Sequence, residues 1–436
     1  MTSASPRAAV REPRPRWVRP VSGPPRPEAA KRAVAVVFGA NGFLFASWVS
    51  RLPAVRDALH LSPGGLGLLL LCIAAGSVVA LLASGAIVHG LGPGRAVPLA
   101  ACLMAAGLAV VATIPPIPVF AATLVLVGAG TAVWDVGMNV EGAAVERLVG
   151  RPVMPRLHAA FSLGTVAGAG VGSLAAELDV PVRWHLGAVA ALGAAAAVAA
   201  VRWFARPEPA PRPGVAGTPG TPGTDGAGRR SSGVLRAWRE PRTLAIGVLV
   251  LGMAFAEGTA NDWLAVGLVD GYHVDHALAA LGFGVFVTAM TAARMAGPWV
   301  LARHGRVRAV RWGAVLVAAG VLAVVAGPEV PVPGLRAVLA VGGAVAWGLG
   351  AALGFPVGMS AAADDPAVAA ARVSVVSAIG YVAFLAGPPL IGLLGDHLGV
   401  VRALLAVGGA VLISLAAAGA LRPLAPSGSP LTEREE

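Results

Sequence analysis

The chain has 436 residues, of which 56% are hydrophobic and only 13% charged, with a mean hydropathy of +0.76. Soluble globular proteins carry about 25% charged residues, so a soluble class is excluded, and about a dozen spans of ~20 residues account for the length better than two or three soluble domains do. The net charge of +11 would suit nucleic-acid binding only if the basic residues formed one patch, and they do not.

Residues 1–32 form a basic tail with eight Lys or Arg between Arg7 and Arg32, and no short apolar run with a small-residue cleavage site follows them. The tail is expected to be disordered and the first span retained. Six apolar segments follow, near 33–50, 65–88, 96–114, 119–145, 156–178 and 184–204. A Pro/Gly/Arg-rich linker at 205–241 separates them from six more, near 242–266, 278–301, 309–327, 335–358, 372–394 and 400–421, before a short tail at 422–436. With spans alternating in direction, 27 of the 33 Lys and Arg fall on the side of the N-terminus. Arg51, Arg56, Arg183, Arg336 and Arg402 fall on the other side, and Arg294 alone lies within a span. The positive-inside rule then makes both termini and the linker cytoplasmic.

Cys72 and Cys102 lie in apolar segments and suggest neither a disulfide framework nor a metal site. The eight His are scattered over loops and span ends, so no constellation points to an enzyme, a metal or a cofactor. A sensor would usually carry a soluble output domain, for which the linker and tail are too small, so a non-transporting membrane sensor stands as the lower alternative.

The two sets of six spans look like copies. The pattern G-x-x-x-W-x-x-G occurs in the fourth span as Gly130, Trp134 and Gly137, and in the tenth as Gly343, Trp347 and Gly350. Asn41, Gly42 and Trp48 in the first span match Glu257, Gly258 and Trp263 in the seventh. "FSLG" ending at Gly164 matches "VSAIGY" around Gly380. Matching positions in six-span halves point to an internal repeat.

With these motifs the chain resembles the major facilitator superfamily over Ala33 to Leu421. "SWVSRLPAVRDAL", "WDVGMN", "HAAFSLG", "EGTANDW" and "GYVAFLAGPPLIG" are similar to the bacterial branch near the fucose permeases. The resemblance implies an all-α polytopic membrane protein, with twelve transmembrane helices in two pseudosymmetric six-helix bundles, 33–204 and 242–421. The bundles would rock around a central solute cavity in the bacterial cytoplasmic membrane, in a protein that functions as a monomer. It also implies proton coupling through carboxylates on the first and fourth spans; here the fourth supplies Asp135, but the first offers only Asn41. The family's acid-and-arginine loop after the second span is absent, with His89 and Gly90 in its place, so Arg95 and Arg303 are expected to dock instead on helix C-terminal carbonyls.

A charge inside the bilayer should face a cavity or a partner. Asp135 has Gly348 as its counterpart in the second half, an asymmetry that packing does not require, and Asn139 shares its helical face. Glu257, with Asn261 four residues on, would replace the missing acid, while Asp262 is placed near the outer surface. Asp135 and Glu257 are the candidate coupling and substrate-binding acids; the alternative for each is to bond helix backbones or pair with Arg294. Trp134 and Trp347 either stack on a sugar in the cavity or pack on glycine faces. Gly387, Pro388 and Pro389 are expected to form a hinge, Arg294 to snorkel to the cytoplasmic interface, and His158 to be interfacial.

The helix-5 Gly-Pro signature typical of the family's drug antiporters is missing, with Ala169 where its Pro would fall. The expected function is therefore proton-coupled symport of a small sugar-like solute, and the alternative is proton-coupled efflux of amphipathic compounds. The partners are the substrate, protons and the lipid bilayer, with no nucleic acid.

Overall fold

The computed structural model describes residues 27–151, 153–204, 235–365 and 368–423. The greater part of the expected basic tail and of the linker, and the last residues from 424, lie outside the described residues. In the first half α1 (Pro27–Val49) leads into α2 (Leu52–Ala58), α3 (Pro63–Leu91), α4 (Pro93–Val111), α5 (Ile117–Val149), α6 (Met154–Glu177) and α7 (Val182–Ala200). The second half has α8 (Pro241–Tyr272), α9 (His276–Ala326), α10 (Pro333–Ala351), α11 (Gly354–Ala362), α12 (Ala369–Leu398), α13 (Val400–Ala403) and α14 (Leu405–Ala417).

Sequence explains where these helices start. Pro63, Pro93 and Pro333 each take the first helical position, where the missing N–H would have had no partner. Ser62 and Asp275 cap α3 and α9 by accepting from the amides of Gly65 at 3.2 Å and Leu278 at 2.8 Å. The first helix begins at Pro27, ahead of the expected 33, and α2 is a short element between the first two spans that the hydropathy pattern did not suggest.

Eleven described helices are long and apolar enough to cross a membrane. One of them covers 54 residues, His276–Glu329, or about 80 Å at ~1.5 Å per residue, far more than a hydrocarbon core of ~30 Å. Gly305, at φ 74° and ψ 163°, folds it into two legs, which makes twelve crossings. Gly92, between α3 and α4, has nearly the same backbone at φ 74° and ψ 151°. The two turns occupy matching places in the halves, in a conformation that is essentially restricted to glycine. Gly305→Ala is expected to cost about 1–3 kcal/mol and to lower the melting temperature of the purified protein. Gly408→Ala, on a helical glycine with nothing near it, should leave that temperature unchanged or raise it.

The halves are built alike: α1 packs on α6, and α5 on α3 and α4, as α8 packs on α12 and α10 on α9. The Gly/Trp motif is the ridge of these contacts. A Cβ on Gly130 would sit 3.0 Å from the Ala100 carbonyl oxygen of α4, and one on Gly343 2.8 Å from the Gly320 carbonyl oxygen of α9. Small residues let the backbones approach this closely.

Between the halves, α3 crosses α12 and α6 crosses α9. Among the described residues, four hydrogen bonds join the halves at the end opposite the N-terminus. Arg56 binds Asp270 at 2.6 Å and Asp57 meets His276 at 3.0 Å. The Gly64 amide donates to Asp396 at 2.9 Å, and Ser173 donates to the Ala277 carbonyl at 2.9 Å.

Candidate functional site

A cavity of about 310 Å³ lies between the halves, and helical periodicity explains its lining. On α5, Thr131 and Asp135 are four residues apart and share one face. From α8 come Gly258, Asn261 and Asp262, at spacings of three and four, and from α12 come Tyr381, Phe384 and Pro388. On α3, Ile73, Ser77 and Leu81 line it at spacings of four. Phe45 and Trp48 of α1 and Met104 and Leu108 of α4 extend the walls, so most of the surface is apolar.

The polar groups are few. Asp135 is exposed to the cavity, and its carboxylate accepts a bond from Asn139 Nδ2 at 3.3 Å while the same nitrogen donates to the Asp135 carbonyl at 2.9 Å. Asp262 lines the opposite wall half-buried, and among the described residues no donor reaches it. Asn261 and Tyr381 add polar groups, while the Ser77 and Thr131 hydroxyls donate to the Gly128 carbonyl at 3.0 Å and the Val127 carbonyl at 2.8 Å.

The structure separates the residues singled out in the sequence. Asp135 and Asn261 meet at the cavity and Asn139 tethers Asp135. Glu257 does not line the cavity: its carboxylate accepts from Arg294 Nη2 at 2.7 Å, within the second half. Arg294 therefore does not snorkel; it is held by Glu257 and, through Nε, by the Ala352 carbonyl at 3.4 Å. The pair compensates both charges, which a lone cation reaching for the interface would not do for Glu257. His158 stacks edge-on against Phe38, with ring centroids 5.2 Å apart.

Asn41 is buried, at 3% exposure, and among the described residues its Nδ2 has no partner. Trp134 and Trp347 do not line the cavity either: both are fully buried. Consecutive helical positions differ by about 100°, so Trp134 cannot share the face of Asp135; it shares that of Gly130 and Gly137, which packs on α4. Trp347 donates Nε1–H to the Ala256 carbonyl at 3.1 Å and meets Phe286 edge-on. Trp347→Phe is accordingly expected to lower stability by ~1 kcal/mol, the worth of one hydrogen bond, with solute affinity unchanged. Trp48→Ala, at the cavity wall, should weaken solute binding in the same titration.

The expected gate residues also resolve. Arg95 is exposed, and among the described residues nothing binds it. Arg303 reaches over the Trp299 ring, 6.0 Å from its centroid, rather than a helix carbonyl. Ion-pairing at this end uses other arginines: Arg306 binds Asp364 at 2.6 Å and Arg242 binds it at 2.8 Å, and Arg372 binds Glu240 at 2.6 Å. The two hydrogen bonds to Asp364 outweigh burial and hold its carboxyl below the usual carboxylate range. Through Pro388 and Pro389 the helix α12 runs unbroken, and there it crosses α3: a Cβ on Gly67 would sit 2.5 Å from the Pro388 carbonyl oxygen. A Cβ on Gly387 would lie 3.2 Å from the Phe255 ring.

Sequence reasoning missed Asp262 and Tyr381. The face shared by Gly258, Asn261 and Asp262 was readable from their spacing, but placing Asp262 near the outer surface hid it. Tyr381 carried no signal beyond its motif.

The family model described as Major Facilitator Superfamily matches residues 33–365. The chain belongs to the major facilitator superfamily. An uncharacterized transporter, y4wD, of Sinorhizobium fredii is 31% identical over 368 residues, covering 84% of this chain and 91% of its own. The fold is shared with solved members of the superfamily. A variant of the nucleoside transporter NupG superposes with a TM-score of 0.71 at 15% identity, over 90% of this chain and 99% of that one. A D-xylose-proton symporter superposes with 0.67 at 13% identity, over 91% and 96%. The protein is thus a multi-pass membrane transporter of small solutes and not an enzyme.

Proposed function

We propose that this transporter is proton-coupled and works by alternating access, carrying its solute in the cavity between the halves with Asp135 as the proton-binding acid. The observation that carries this reading is a cavity-facing carboxylate tethered, among the described residues, by Asn139 alone, beneath an end closed by cross-half bonds. The bundles 33–204 and 242–421 act as the rocking units and the segment 205–241 tethers them, in a protein active as a monomer.

The arginine distribution supports cytoplasmic termini in a bacterial cytoplasmic membrane. In that orientation the closed end is the outer one and the cavity serves the cytoplasm. A sugar-like solute taken up by symport is supported by the fucose-permease resemblance and by the xylose and nucleoside transporters that share the fold. The lining favours a solute with more apolar surface, because the walls are aliphatic and aromatic with a few polar groups at opposite sides. Proton-coupled movement of an amphipathic compound is therefore the reading the geometry supports best.

Reconstitution into proteoliposomes tests it. D-xylose, uridine and 2-phenylethylamine would be offered with the internal pH set above, equal to or below the external pH. Flux of at least one that follows the sign of the gradient is expected. Flux indifferent to the gradient removes the proton, and no flux of any removes the transport cycle.

A further inference from the structure

The cavity has a charge sign. Two carboxylates, Asp135 and Asp262, line it, and among the described residues no Lys, Arg or His does. Arg294, on the first leg of α9, is engaged by Glu257 at 2.7 Å, and Arg56 is held by Asp57 and Asp270 at the closed end. Asp135 has one amide from Asn139, and among the described residues Asp262 accepts no hydrogen bond. Carboxylates in a largely apolar enclosure call for a partner charge or proton.

The walls add a second observation. Phe45, Trp48, Tyr381 and Phe384 line the same cavity, and aromatic faces attract organic cations. A neutral sugar would satisfy the carboxylates by hydrogen bonds but would leave its hydroxyls against these rings and the aliphatic wall. An anion would meet two like charges. A cation with an apolar body matches both features at once. The volume of about 310 Å³ stands at the small end of pockets that hold drug-sized ligands, ~300–1,000 Å³, which suits one or two rings.

We infer that the solute is a small amphipathic organic cation, an amine or quaternary ammonium, whose charged head lies between Asp135 of α5 and Asp262 of α8 and whose apolar body rests on the aromatic wall. The inference rests on the proposed reading of the cavity as the transport site and adds to it the charge of the cargo. Because the two acids come from different halves, the cation would also bridge the halves.

Isothermal titration of the purified full-length chain in detergent reads the charge preference directly. The probes are 2-phenylethylamine and its neutral, near-isosteric alcohol 2-phenylethanol, with benzyltrimethylammonium, tetraphenylphosphonium and D-xylose alongside. At least one of the three cations should bind at least tenfold tighter than 2-phenylethanol and D-xylose. Asp262→Asn should weaken that cation by tenfold or more and Asp262→Glu by less, while Glu329→Gln, in the exposed pair with Arg402, should leave it unchanged. Equal affinity for amine and alcohol, or a failure of all three cations to bind, overturns the inference. D-xylose binding that is lost in Asp135→Asn with no preference for cations would overturn it and leave the transport reading standing. Absence of flux for every probe in proteoliposomes would remove the transport reading itself.

Discussion

Asp135→Asn should make flux in proteoliposomes independent of an imposed pH gradient and lower gradient-driven flux at least about tenfold, the equivalent of ~1.4 kcal/mol. Asparagine keeps the volume of the side chain and can still pair with Asn139, which lies 3.3 Å from the present carboxylate oxygen. What it lacks is the ability to gain and lose a proton. Any fold defect would appear as a lowered melting temperature, and Asp135→Glu, which restores the titratable group, should recover part of the coupling. Undiminished gradient dependence in the Asn variant would assign the proton elsewhere, with Asp262 the next group to test. Glu257→Gln provides a contrast. It leaves Arg294 without its 2.7 Å partner, and breaking such a pair within the membrane costs more than any effect on the cavity, so its first consequence should be reduced stability and expression.

Arg56→Gln should open the closed end. The Arg56 side chain is 11% exposed and binds Asp270 across the halves at 2.6 Å and its neighbour Asp57 at 3.0 Å. Asp57 is also met by His276 at 3.0 Å. A charge-assisted bond in a half-buried setting contributes about 1.5–3 kcal/mol, discounted where solvent reaches it. Because the bond exists only when the two halves meet at this end, its loss shifts the balance of conformations by the same amount. A shift of ~1.4 kcal/mol is tenfold in population. Membrane-impermeant maleimide labelling of Ser77→Cys in the cavity, with Cys72 and Cys102 replaced by Ala, should therefore rise about five- to tenfold from the outer face. Unchanged labelling would mean that α3 on α12 and α6 on α9 hold the end shut without the ion pairs.

The same clasp sets a pH dependence. Burial pushes the Asp57 carboxyl up, but hydrogen bonds from Arg56 and His276 and their charges outweigh it and hold it below its ordinary value. A depressed carboxylate contributes fully above its unperturbed pKa of about 4 and loses its contribution as the pH falls through the lower, clasped value. The contribution of Asp57 to closure should therefore persist down to about pH 4 and fade below it, and labelling of the Ser77→Cys reporter against pH would show this.

Much of the architecture could be read from the chain because apolar length and loop charge are local properties. The twelve crossings, the repeat and the glycine ridges follow from spacing alone. The site could be read only in part. Asp135 was found because it breaks the symmetry with Gly348, and the structure gives the reason: the Gly348 face is packed, with its missing Cβ facing the Phe286 carbonyl of α9, whereas the Asp135 face opens on the cavity. Glu257 drew equal notice as a lone acid in a span. Its partner Arg294 lies 37 residues away, on another helix, and nothing in the spacing of either predicts the pairing. For Trp134 and Trp347 the sequence left two places open, the cavity or the glycine faces, and the structure puts both in the packed interior; their faces were computable from Gly130 and Gly343.

The crossing of α3 and α12 has a consequence for ion leakage. Its contact is backbone against backbone, with Gly67 beneath Pro388 and Gly392 above Pro63, too close for a side chain to enter between them. A chain of waters able to relay protons at this crossing would have to part the two backbones. Insulation of this kind would let a carrier hold a membrane potential while one side of it stands open, and the glycines that would supply it carry no chemistry of their own.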